Sequence, residues 1–197
     1  ASEISAKIKT VVKNIVTCSN KADFAPDVIY ALETARDEDF RERLFIIARK
    51  LVGDWSVEQK AKLAQICMNQ ISGELYGFGT SGKTRNTNIH AINALAMCGD
   101  EAQIKSVEVI ENIKYTEAKI YAFSRSGYNV GWLHGHLKAN VEKAFDYKPY
   151  ALGNIAYSIG NALAFDKEMN AGYLYREEVV ELLLKAVDEL YMHTNDM

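Results

Sequence analysis

The chain has 197 residues, 48% of them apolar and 25% charged, and a formal net charge of −3. This length carries one domain, or two small ones, with a real core, and the mild acidity excludes a strongly basic nucleic-acid binder although not a local basic patch. No apolar run approaches the ~18 residues that span a membrane, and the first residues lack a signal-peptide core, so we expect a cytoplasmic protein with no membrane partner.

In chain order the pattern is helical almost throughout. Ile4, Ile8, Val11, Val12 and Ile15 form one apolar face over residues 2–17, with Lys7, Lys9 and Lys13 in water. Pro26 suits the first turn of a second helix, to about Ala35. Asp37 caps a third, in which Phe40, Leu44, Ile47 and Leu51 recur at helical spacing before Gly53 ends it. These two should pack as an antiparallel pair. Ser56-Val57-Glu58-Gln59 has capping-box form and opens a helix bearing Leu63, Ile66, Cys67 and Ile71. A long glycine-rich interruption, Gly73 to Asn88, comes next. Asn86, Thr87 or Asn88 then caps a short helix that Gly99 stops after Cys98.

Asp100-Glu101-Ala102-Gln103 repeats the capping pattern, and Ile104, Val107, Ile110 and Ile113 are expected to face one way. Thr116 caps a helix over Glu117–Arg125, which Gly127 breaks. Tyr128–Phe145 and Pro149–Phe165 make a further pair. The polar stretch Asp166–Gly172 leads to a last helix, to about Met192, with Val180, Leu183, Leu184, Val187 and Leu190 on its apolar face. The three cysteines, Cys18, Cys67 and Cys98, fall within or at the ends of apolar helical patterns, which reads as buried free thiols in a reducing compartment.

Gly77-Phe78-Gly79-Thr80-Ser81-Gly82-Lys83-Thr84 fits G-x-x-x-x-G-K-[ST] without mismatch. In a P-loop the glycines let backbone N–H groups wrap the phosphates, the lysine reaches the outer phosphates and the hydroxyl holds Mg²⁺. On that reading Gly77, Gly79 and Gly82 allow the backbone to approach. Lys83 supplies charge, Thr84 the metal contact, and the ligand is ATP or GTP with Mg²⁺. The setting differs, because a P-loop follows a buried strand and residues 57–72 have helical spacing. No later apolar strand ends in Asp to hold the metal. The plainer reading is a flexible loop between helices. An intermediate one lets Lys83, Arg85 and free N–H groups at a helix start bind any phosphate or carboxylate, including that of a nucleic acid.

The C-terminal half carries small-residue stripes. Gly127, Gly131, Gly135 and Ala139 recur at steps of four, as Gly153, Ala156 and Gly160 do more loosely. Close helix–helix packing explains such a stripe, and so does the approach of a ligand or partner chain. Asn154, Ser158 and Asn161 share one helical face near Tyr157, and His90 and Asn93 form a comparable pair. Buried amides must be hydrogen-bonded, so each row is either a satisfied network or a surface that reads backbone groups. His134 and His136 point about 200° apart on a helix and give no metal pair. No catalytic constellation can be assembled from the order of residues.

Two stretches are worded like a known family. Tyr150-Ala151-Leu152-Gly153-Asn154-Ile155-Ala156 resembles the inner-helix phrase of an armadillo repeat, and Ile92 through Ile104 resembles the step from one armadillo or HEAT repeat to the next. In that family the inner-helix asparagine lies on the concave surface and binds extended peptide backbone. The resemblance puts Asn154 at that place; in the other copy the matching position is Ala94, with Asn93 one residue away.

The expectation is therefore an all-α protein of about nine or ten helices in stacked antiparallel pairs, an αα-superhelix forming one domain over residues 1–197, with any sub-division near 73–88. Its expected function is non-catalytic binding of a protein or peptide without a cofactor, through Asn154, Ser158, Asn161, Tyr157, His90 and Asn93. The alternative is phosphate binding, of nucleotide or nucleic acid, through the Gly77–Thr84 segment.

Overall fold

The computed structural model describes residues 21–76, 82–142 and 176–195. Among these residues are eight α-helices and no strand. They are α1 (Ala25–Thr34), α2 (Glu38–Leu51), α3 (Val57–Leu75), α4 (Gly82–Cys98), α5 (Glu101–Ser106), α6 (Thr116–Ser126), α7 (Val130–Glu142) and α8 (Arg176–Asn195). The all-α class holds. The count is below nine or ten, and two of the expected helices, over 2–17 and 149–165, lie outside the described residues. The chain divides into two compact units, residues 1–118 and 119–197.

In the first unit the helix starts follow the capping residues. Pro26 sits in the first turn of α1. The Asp37 side chain accepts from Phe40 N at 2.8 Å and starts α2, which has Glu38 and Asp39 in its first turn and Arg49 and Lys50 in its last, each where the helix dipole favours it. At α3 the capping box is complete: Ser56 Oγ accepts from Gln59 N at 3.2 Å and Gln59 Oε1 accepts from Ser56 N at 2.9 Å. The same reciprocal pair joins Asp100 and Gln103 at α5.

The long interruption is mostly helix. Gly73 and Glu74 belong to α3, and α4 already begins at Gly82. Asn86, Thr87 and Asn88 are helix-interior residues rather than caps, and Thr87 and Asn88 are fully buried. Glycine, asparagine and threonine each cost a few tenths to about 1 kcal/mol in a helix relative to alanine. Fully burying Ile92 and Leu95 returns about 1.5–3 kcal/mol apiece. Tertiary packing therefore overrides local propensity.

α4 packs on both α2 and α3, and α1 packs on the same two helices. Lys83 of α4 pairs with Asp39 of α2, and His90, further along α4, pairs with Glu42, further along α2. The two helices therefore run side by side in the same sense. The core between the helices holds Leu32, Phe45, Leu51, Leu63, Ile71, Ile92 and Leu95, all fully buried.

After α5 the expected period breaks. The helix ends at Ser106, a 3₁₀ turn covers Val107–Val109, and Ile110 starts an extended stretch. Ile104, Val107 and Ile110 are buried, but Ile113 is 76% exposed. The break shifts the register, and Tyr115 takes the buried position instead.

α6 crosses the division between the units. In the second unit Gly127 (φ 73°) and Asn129 (φ 60°) adopt the left-handed conformation and turn the chain into α7. A Cβ at Gly131 or Gly135 would meet nothing within 4 Å, so close helix packing does not account for these two glycines. α8 packs on α7. Among its described side chains Ala186 is buried, whereas Val180, Leu184 and Val187, expected on the core side, are exposed. The apolar arc of α8 is wider than the side it buries, and periodicity does not say which edge is covered.

Candidate functional site

The polar residues of α4 fall on two faces with different chemistry. On the inner face Thr87 Oγ1 donates to the Glu38 carbonyl at 3.2 Å, and Asn88 lies in a chain of side-chain hydrogen bonds through the first unit. Arg41 donates through Nε (3.0 Å) and Nη2 (2.7 Å) to Gln70 Oε1. Gln70 Nε2 donates to Asn88 Oδ1 at 3.0 Å. Asn88 Nδ2 donates to the Tyr115 hydroxyl at 3.3 Å, and that hydroxyl donates to Glu74 Oε1 at 2.9 Å.

Every link runs in one direction, from a guanidinium to a carboxyl group. Arg41 can only donate, so it fixes the Gln70 oxygen toward itself and the Gln70 nitrogen toward Asn88. Turning the Asn88 amide over would let its nitrogen donate to the carbonyls of Thr84 and Gln70, both at 3.1 Å. It would also set that nitrogen against the Gln70 amide nitrogen, 3.0 Å away, and in either orientation the buried amide is hydrogen-bonded within the inner face. Arg41 Nη1 also donates to the carbonyls of Leu32 and Ala35, at 2.7 and 3.1 Å. The chain thus ties α1 through α4 to the turn before α6.

On the outer face Asn86, His90 and Asn93 follow at i, i+4 and i+7. Asn86 is exposed, and His90 and Asn93 are half-buried. His90 Nε2 lies 3.6 Å from Glu42 Oε1. Burial holds the His90 pKa below its ordinary value of 6.5, against the pull of Glu42 and with a smaller push from Arg49. A neutral imidazole with its Nε2–H toward Glu42 has Nδ1 as an acceptor. That Nδ1 and Asn93 Oδ1 are both covered and have no protein hydrogen-bond partner. Two acceptors one turn apart are thus left unfilled on a face whose inner counterpart is fully bonded.

Gly77 and Gly79 lie outside the described residues. Gly82, Lys83 and Thr84 form the first turn of α4, after a helix rather than a strand. Lys83 is exposed, and its Nζ is 3.7 Å from Asp39 Oδ2. Arg85 is half-buried, with a covered Nε that has no partner. Asn154, Tyr157, Ser158 and Asn161 lie outside the described residues.

Comparison with known protein families, curated proteins and solved structures returns no match.

In the second unit the two histidines of α7 diverge, as helix geometry requires. His134 Nε2 is 3.5 Å from Glu178 Oε2, and Lys138 Nζ is 3.9 Å from Glu178 Oε1. His136 stacks on Trp132, with centroids 4.9 Å apart and planes within 6°. Lys119 Nζ sits 5.1 Å from the Trp132 ring, a cation–π distance, and Phe123 meets Trp132 edge-on at 5.0 Å. Burial, then Lys119, lowers the His136 pKa. Among the described residues no three His, Cys, Asp or Glu side chains converge on a metal-sized point. Sequence reasoning missed the chain from Arg41 to Glu74 because its members are spread over three helices and a turn.

Proposed function

We propose that the protein is a non-catalytic helical binding module and that its first unit is a short αα-superhelix taking a protein or peptide along the α2–α4 edge. The observation that carries this reading is the pair of unfilled acceptors, His90 Nδ1 and Asn93 Oδ1. A covered polar atom without a partner costs about 1–3 kcal/mol. Such atoms in a native fold call for an explanation, and a bound partner is one. Residues three apart on a helix have Cβ atoms about 5–6 Å apart. The N–H groups along one edge of an extended peptide recur every ~6.7 Å, within reach of two side chains that adjust their rotamers. The packing of α1 with α3, and of α2 with α4 in parallel, is what stacked hairpins would produce.

The test is selection from a displayed peptide library on the wild type, followed by titration of the enriched peptide into variants. His90→Ala and Asn93→Ala each weaken binding about tenfold, the loss expected for one hydrogen bond of about 1.4 kcal/mol. Lys83→Ala leaves it nearly intact. Selected peptides that bind His90→Ala and Asn93→Ala as well as wild type overturn the reading.

A second reading, phosphate binding, draws on Gly82-Lys83-Thr84 opening a helix of 17 residues. It predicts binding of Mg-ATP or Mg-GTP that is lost in Lys83→Ala. The Asp39 carboxylate beside Lys83 weighs against it, because any phosphate there would meet that negative charge.

A further inference from the structure

Of the two acceptors on the outer face of α4, His90 Nδ1 titrates near neutral pH and Asn93 Oδ1 does not. A neutral imidazole carries one proton on its two ring nitrogens. Nε2 lies 3.6 Å from Glu42 Oε1, which places that proton on Nε2 and leaves the covered Nδ1 with a lone pair. A second proton goes to Nδ1. The ring then presents an N–H on both sides, one toward Glu42 and one toward the position that a partner's N–H has to occupy. A single proton thus turns an acceptor into a donor at the atom that does the binding.

We propose that the α2–α4 edge is a proton-gated binding site, in which protonation of His90 at Nδ1 releases the bound segment. The gate rests on the binding reading of this edge and names its regulation. With Nδ1 protonated, donor faces donor: the hydrogen bond is lost and two partial positive charges repel. Asn93 keeps its acceptor at every pH, so one contact of the pair remains and the other turns against the partner. The partner's N–H and the proton compete for one lone pair, and by linkage a bound partner also makes His90 harder to protonate.

The surroundings set the direction of the gate. Among the described residues the charges that act on the His90 ring are Glu42 and Arg49, both on α2. α3, α5 and the 3₁₀ turn Val52–Asp54, which also pack on α4, contribute none. Burial is the largest influence and resists the charged ring, Glu42 draws the proton in, and Arg49 resists it more weakly. The ring is therefore neutral at pH 7, with the acceptor open. Once protonated it has the Glu42 carboxylate as counter-charge, so the closed state is an ion pair across α2 and α4.

The test uses a peptide selected on the wild type at about pH 7.5 and made with blocked ends and no Asp, Glu or His, so that it does not itself titrate. It is titrated into the protein from about pH 7.5 to about pH 5, with far-UV circular dichroism on each sample to show that the fold persists. The expected affinity is constant above about pH 6.5 and then falls toward tenfold per pH unit, the slope of one competing proton. Calorimetry in two buffers of different protonation enthalpy should show a proton released on binding within the falling range. Asn93→Ala should bind more weakly with the same slope. His90→Gln, whose amide offers an oxygen and takes up no proton, should bind without one. A flat wild-type affinity without proton release, or a slope that survives in His90→Gln, overturns the gate and leaves the binding reading in place if the peptide still depends on His90 and Asn93. A peptide indifferent to both residues overturns the two together.

Discussion

The two faces of α4 use the same kind of residue for opposite ends. Asn88, on the inner face, accepts from Gln70 and donates to Tyr115, and its neighbour Thr87 is bonded to Glu38. Asn93, little more than one turn later on the outer face, has a covered oxygen with no partner. An amide with both ends filled holds a fold together. An amide left half-filled at the edge of a helix layer adds nothing to stability and keeps capacity for something else. Stability and binding should therefore separate along one helix, and substitutions can break or sharpen that division.

The largest effect should come from the inner chain. Asn88→Ala removes two bonds, strands the Gln70 amide, and opens a small cavity. The expected loss is about 2–4 kcal/mol in urea unfolding. Tyr115→Phe should cost about 1–3 kcal/mol, since it withdraws one donor from the buried Glu74 carboxyl group. A neutral result for either would mean that the chain is not a structural element and that the two faces are alike.

The pH response is intermediate. His90 has a folded pKa below its ordinary 6.5, so between that depressed value and 6.5 the unfolded chain binds more protons than the folded one. Stability is then fully present above about pH 6.5 and declines as pH falls through that window. His90→Gln should flatten the decline, and His136→Gln, whose pKa is lowered in the same direction, should flatten it further. Unfolding midpoints across pH 5–8 would check this, and an unchanged slope in both variants would contradict it.

The smallest effect belongs to the residue that stands out most in the sequence. The Lys83–Asp39 pair is 3.7 Å apart with side chains 76% and 62% exposed, and solvent screens it. Lys83→Ala should change stability by less than about 0.5 kcal/mol. A larger loss would place Lys83 in the structural set with Asn88.

Much of the first unit was legible in the sequence because its signals are local. Pro26, Asp37, the Ser56–Gln59 box and the Asp100–Gln103 box each mark a helix start within a few residues. The Gly73–Asn88 stretch misled because glycine and asparagine report propensity, whereas burial of Ile92 and Leu95 decides the outcome. Ile113 misled because a periodic count assumes an unbroken helix, and the chain changes to a 3₁₀ turn at Val107. On α8 the apolar arc was visible, but its covered side depends on partners that the sequence does not order. Of the candidate site, His90 and Asn93 were visible by spacing. Glu42 was not, since nothing local places it 3.6 Å from His90.

The most direct test sets Asn88→Ala beside Asn93→Ala in one urea unfolding series. Asn88→Ala should lose about 2–4 kcal/mol, and Asn93→Ala should change by no more than about 0.5 kcal/mol or gain stability. Comparable losses for the two would mean that the Asn93 amide is part of the fold, and the outer face of α4 would no longer stand as a binding surface.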